Sequence, residues 1–158
     1  MVIFRILTAF FAVFLWVAKA EEPLISSMRA FLVTSNAEGM EQLIETSTIE
    51  PGQTVQYDLA YTNQSTEALL DLVINGPIPA STYYLAGTVR NPEGITPLFS
   101  ADGGETFGTE PITIVTTLED GSTIRREARP DEYTHIQWQV PSLKAGSSTH
   151  FYYRVQVR

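Results

Sequence analysis

Ser100-Ala101-Asp102-Gly103-Gly104-Glu105-Thr106-Phe107 is the densest run of chemically capable side chains in this 158-residue chain. Asp102 can accept hydrogen bonds from the amides of its own turn, and the glycines admit the positive φ that such a turn needs. Asp102 and Glu105 also offer hard oxygen ligands, so calcium is the cation this loop would take. Glu38, Glu119 and Asp120 are further carboxylates at turns, but no stretch alternates Asp and Asn as a dedicated calcium loop does. His135 and His150 fall on the outward faces of strands expected to be neighbours, where a two-histidine metal site would still lack a third ligand. Catalytic groups are scarcer. There is no cysteine, no Gly-x-Ser-x-Gly elbow, no His-Glu-x-x-His and no phosphate-cradling glycine loop. Asp58 and Asp71 sit on expected strands without a partner for acid–base work. No catalytic or cofactor-binding residue is therefore assigned, and Asp102 and Glu105 are the only metal candidates.

The elements that must position these groups are strands. A Pro51-Gly52 turn launches a strand over 53–62, with Val55, Tyr57, Leu59 and Tyr61 on one face and Thr54, Gln56, Asp58 and Ala60 on the other. Asn63 ends that strand. Further strands are expected over 29–34, 40–47, 69–74, 82–88, 96–101, 105–107, 112–118, 122–128, 133–140 and 149–157. Ile136, Trp138 and Val140 point inward in one of them, and Phe151, Tyr153, Val155 and Val157 in the last. Tyr57, Tyr61, Tyr83, Trp138, Phe151 and Tyr153 are better explained as core than as a sugar platform, with Tyr84 and Tyr152 left exposed. Asp120-Gly121 as a two-residue hairpin loop would set Thr117 opposite Ile124 and Val115 opposite Arg126. Both faces of that ribbon are mixed, so it should project from the body. Short strands at this spacing, with Pro and Gly between them, specify a single all-β sandwich domain over residues 28–158.

Ahead of the domain, Arg5, the apolar run Ile6–Ala18 and the small residues of Ala18-Lys19-Ala20 have the form of a signal peptide over residues 1–20. Glu21–Ser27 would be a loose leader. Cleavage would leave no stable membrane insertion. The chain carries a formal net charge of −8, and losing Arg5 and Lys19 would make it more acidic still. Such a surface repels nucleic acid and anionic lipid. With no cysteine, an exported domain must rely on its core instead of disulfides, which fits a bacterial periplasm or cell surface. Asn63-Gln64-Ser65 is formally a glycosylation sequon.

Pro51-Gly52, Tyr57 and Asn63, then Pro77-Ile78-Pro79-Ala80, Trp138 and Leu143-Lys144-Ala145-Gly146, follow one another in a meaningful order. This set resembles the immunoglobulin-like repeat domain of bacterial exported and surface proteins, catalogued as domain of unknown function number eleven. The resemblance covers about Phe31 to Val157. It implies an immunoglobulin-like antiparallel β-sandwich, with Pro51, Gly52, Tyr57, Asn63, Pro79, Trp138 and Gly146 as structural motif residues. That family often occurs as tandem repeats, whereas here one copy stands with an extended hairpin added. Separately, Ser100–Phe107 resembles the Asp-box of sialidase propellers, which adds Asp102 and Gly104 to the structural set; one copy cannot build a propeller. The expected function is an exported, non-enzymatic structural or protein-binding module of the bacterial envelope, its partner another envelope or surface protein. The alternative is a calcium- or carbohydrate-binding accessory domain.

Overall fold

The computed structural model describes residues 22–46 and 48–158, and the signal peptide expected over 1–20 lies outside them. In chain order the strands are β1 (Leu24–Ser35), β2 (Glu41–Glu45), β3 (Thr54–Asn63), β4 (Leu69–Pro77) and β5 (Thr82–Tyr84). They continue with β6 (Pro97–Ser100), β7 (Thr113–Thr117), β8 (Thr123–Glu127), β9 (His135–Leu143) and β10 (Ser148–Val157), with one 3₁₀ turn over Pro130–Glu132. One sheet has the order β2-β1-β3-β10-β5, a second β4-β9-β6, and β7-β8 form a ribbon of their own. Every pairing is antiparallel. The expected all-β antiparallel sandwich is the fold.

Alternation along the strands supplies the core. Val55 and Leu59 from β3, and Phe151, Tyr153 and Val155 from β10, meet Ile74 from β4 and Ile136, Trp138 and Val140 from β9. Trp138 packs on Phe151 and Tyr153 across the two sheets, with ring centroids 4.9 and 6.2 Å apart. Each large apolar side chain so buried contributes on the order of 1.5–3 kcal/mol. Tyr153 also ties the layers by hydrogen bonding, its hydroxyl donating to the Pro77 carbonyl at 2.5 Å. Tyr84, Phe99 and Tyr133 close the far end, their rings 5.1–5.9 Å apart.

Several expectations are corrected. Tyr84 is buried and Tyr83 half-buried, because β5 pairs Tyr84 with inward Val155 and Tyr83 with Gln156. β5 ends at Tyr84, since the chain turns at Gly87 with φ 74°. No strand forms over 105–107; that segment stays in the Asp102 turn, and Gly108 alone bridges to Phe99. β9 starts at His135, after the 3₁₀ turn, and runs on through Pro141 to Leu143. The leader expected over 21–27 is part of the fold from Leu24 onward, where β1 already pairs with β3.

Five strands lie over three. Neither β1 nor β2 contributes a buried residue, so this side of the larger sheet overhangs the smaller one.

Candidate interaction surfaces

The Asp102 turn is built inward. Ser100 is fully buried, and its Oγ donates to Asp102 Oδ1 at 2.7 Å while accepting the Gly104 amide at 2.9 Å. Asp102 Oδ1 also accepts the amides of Glu105 and Thr106, and Oδ2 accepts the Thr106 hydroxyl at 2.5 Å. Those bonds, the Thr106 hydroxyl foremost, hold the Asp102 carboxyl well below the usual carboxylate range. A carboxylate so occupied by protein donors holds the turn and has little capacity left for a cation. Glu105 contributes its backbone amide to the turn. Among the described residues, no group of three or more His, Cys, Asp or Glu side chains could hold a metal ion.

The two histidines do not come together. β9 belongs to the three-stranded sheet and β10 to the five-stranded one, so His135 and His150 face outward from different sheets. Chain neighbours joined by a short turn proved to cross between layers.

The motif residues interlock at one end of the sandwich. Asn63 is fully buried, and its Nδ2 donates to Glu67 O at 2.7 Å and Leu143 O at 2.9 Å. Its Oδ1 accepts the Ser65 amide and hydroxyl, and its backbone carbonyl accepts the Gly146 amide at 2.9 Å. Gly146 has φ 68°, which the turn from β9 to β10 requires. The sequon is therefore closed: the amide nitrogen a glycan would need is spent on two carbonyls. At the other end, Gly52 (φ 83°) donates to Val157 O at 2.9 Å, and Pro79 O accepts the Thr82 amide and hydroxyl. These residues, Tyr57 against Tyr153 included, hold the scaffold.

The ribbon differs in register from expectation. Thr117 pairs with Thr123, Thr116 with Ile124 and Val115 with Arg125. A two-residue type I′ loop needs positive φ at both central positions, but only Gly121 has it, at 81°. The turn widens instead to Leu118–Ser122, with Asp120 Oδ1 accepting the Ser122 amide. Ile112 and Ala128 root the ribbon in the core, and Arg126 clamps Glu132 through two bonds of 2.6 and 2.7 Å. Val115, Leu118 and Ile124 are exposed toward the tip.

Of the edges of the two sheets, those at β4 and at β2–β1 differ most in how they are protected. On β4, Asp71 adopts φ 51°, opposite Pro141, and the pairing skips from Leu70–Ser142 to Leu72–Val140. A charged, kinked residue with no regular pairing geometry blunts that edge. The β2–β1 edge of the larger sheet is open among the described residues. β1 pairs with β3 from Leu24 to Val33 but with β2 only from Phe31 to Ser35. Among the described residues, one side of Leu24–Ala30 thus has no strand partner, and Ile25, Met28, Met40, Leu43 and Ile44 are all more than 40% exposed beside it.

Comparison with family models, with curated proteins and with solved structures found no match.

The acidic turns, the motif residues and the ribbon were all visible in the chain. The β1 edge was not, because nothing in Leu24-Ile25-Ser26-Ser27 separates a strand from a leader except its partner β3. Also invisible was the convergence of Asn75, Gln137 and His135 on the outer face of the smaller sheet.

Proposed function

We propose that this chain is an exported, non-enzymatic module of the bacterial envelope that holds another protein by strand addition at its β1–β2 edge. The supporting observation is the seven-residue stretch Leu24–Ala30, which among the described residues has a free side in line with β2 and carries exposed apolar side chains. An unpaired strand is a template for another chain: backbone hydrogen bonds supply affinity and alternate side chains supply selectivity. Natural sheets usually blunt such edges, as Asp71 does on β4. The motif resemblance to immunoglobulin-like repeat domains points the same way, toward a scaffold whose edges and loops act. The ribbon is the second candidate surface, with exposed apolar residues but a well-clamped base.

The test pairs two variants. Ile25→Lys with Met28→Lys charges the β1 edge, and Val115→Asp with Ile124→Asp charges the ribbon. After capture from the envelope fraction, a partner lost with the first pair and kept with the second supports strand addition at β1. Loss with the ribbon pair alone, or no difference from the unmodified chain, overturns it.

A further inference from the structure

The outer face of β4, β9 and β6 carries a polar groove that neither the scaffold nor the β1 edge uses. Register places Asn75 beside Gln137 and Pro77 beside His135, with Ser100 on the other side of His135. The Asp102 turn folds over Ser100 and stands as a wall, so Gly103, Gly104 and Phe107 complete an open groove of about 410 Å³. Gly104 lies under the His135 ring, where a Cβ would sit 3.5 Å from Nδ1.

The polar atoms are set by their partners. Gln137 Nε2 donates to Asn75 Oδ1 at 3.0 Å, which leaves Asn75 Nδ2 as a donor and Gln137 Oε1 as an acceptor without protein partners among the described residues. The Thr134 hydroxyl donates to Ser100 O and accepts the Gly103 amide. Its single proton being spent, it accepts from His135 Nδ1 at 3.2 Å. In the neutral imidazole that contact assigns the proton to Nδ1 and leaves Nε2 as an acceptor. Donor and acceptors thus stand together on one rigid sheet face, beside the half-buried ring of Phe107.

The geometry points to a neutral saccharide as the ligand of this groove. A hydroxyl both donates and accepts, and neighbouring hydroxyls satisfy a mixed set of donors and acceptors, while Phe107 offers apolar area to the C–H face of a sugar ring. Among the described residues, no Lys, Arg, Asp or Glu lines the groove, which disfavours an ion or a charged group. A peptide strand has nothing to pair with here, because β9 is already bonded on both sides. The rigid sheet limits the ordering cost of binding.

The test is titration with maltose, lactose and N,N′-diacetylchitobiose, followed by nuclear magnetic resonance of the Asn75 and Gln137 side-chain amides and the His135 imidazole. The expected result is a saturable shift of these signals with at least one disaccharide. Asn75→Ala and Gln137→Ala, both on the outer face, should each weaken that binding about tenfold through loss of one hydrogen bond. Ile25→Lys with Met28→Lys should leave it unchanged, which separates this groove from the β1 edge. No shift with any of the three sugars at millimolar concentration, or shifts that persist in both groove variants, would overturn the proposal.

Discussion

Asn63 donates through Nδ2 to the carbonyl of Leu143 at 2.9 Å, joining the end of β3 to the start of the β9–β10 turn across 80 positions of the chain. That bond explains why a strand ending in Asn and a later Leu-x-x-Gly turn belong to one design: the same side chain satisfies both. Replacing Asn63 strands the Leu143 carbonyl in a buried place, whereas the exposed Glu67 carbonyl keeps the Ser65 hydroxyl as a donor. Asn63→Ala should cost about 2–4 kcal/mol, and Asn63→Asp at least as much, since a carboxylate then faces carbonyl oxygens. Urea unfolding of the three proteins checks the order.

Tyr153 bridges the layers by both packing and a hydrogen bond. Tyr153→Phe keeps the ring against Trp138 and Tyr57 and loses only the bond to Pro77 O. Because Pro77 is exposed and its carbonyl can turn to water, the expected loss is about 0.5–1.5 kcal/mol. A much larger loss in thermal melting would mean that the ring itself moves.

Two glycines should fail for different reasons. At Gly76 a Cβ would lie 2.7 Å from Tyr153 Cε1 and 3.1 Å from the Trp138 ring, so Gly76→Ala overpacks the core at a cost of about 1–3 kcal/mol or more. At Gly52 the space is open and φ is 83°, so Gly52→Ala costs about 1–2 kcal/mol from backbone strain alone. Asn tolerates that backbone region, so Gly52→Asn should recover most of the loss, whereas Gly76→Asn should be worse than Gly76→Ala. Melting temperatures of the four variants decide it.

Glu132 gives the pH dependence its sign. The Arg126 guanidinium, then the Arg129 amide, lower its carboxyl from 4.5 to about 2. A carboxyl depressed on folding stabilises fully above its unfolded value, and that stability is lost as pH falls through the folded value. The stability advantage of the unmodified chain over Glu132→Gln should therefore be constant above about pH 5 and shrink toward pH 2. Melting temperature against pH for both proteins measures this.

What the chain disclosed and what it hid divide along local and non-local lines. β3 was legible because Val55, Leu59 and the two tyrosines alternate between a Pro-Gly turn and Asn63, and that period is local. The inward set of β9 and β10 was legible for the same reason. Ribbon register was not, since it turned on whether Asp120 shares the positive φ of Gly121. Tyr84 lies inside and Tyr83 is only half-buried because a three-residue strand takes its facing from β10. β1 began earlier than expected because Ser26 and Ser27 look like a leader until Tyr61 and Ala60 are seen opposite them. The groove was hidden most deeply: Asn75 and Gln137 lie 62 positions apart and meet only through the β4–β9 register.

Strand addition at β1 is tested most directly by a photo-crosslinking amino acid placed at Ser27, with the same group at Glu119 on the ribbon tip for comparison, in the intact producing cell. One discrete adduct is expected from position 27, absent when Ile25 and Met28 are charged, and none of that size from position 119. Adducts from position 119 alone, or none from position 27, would contradict it.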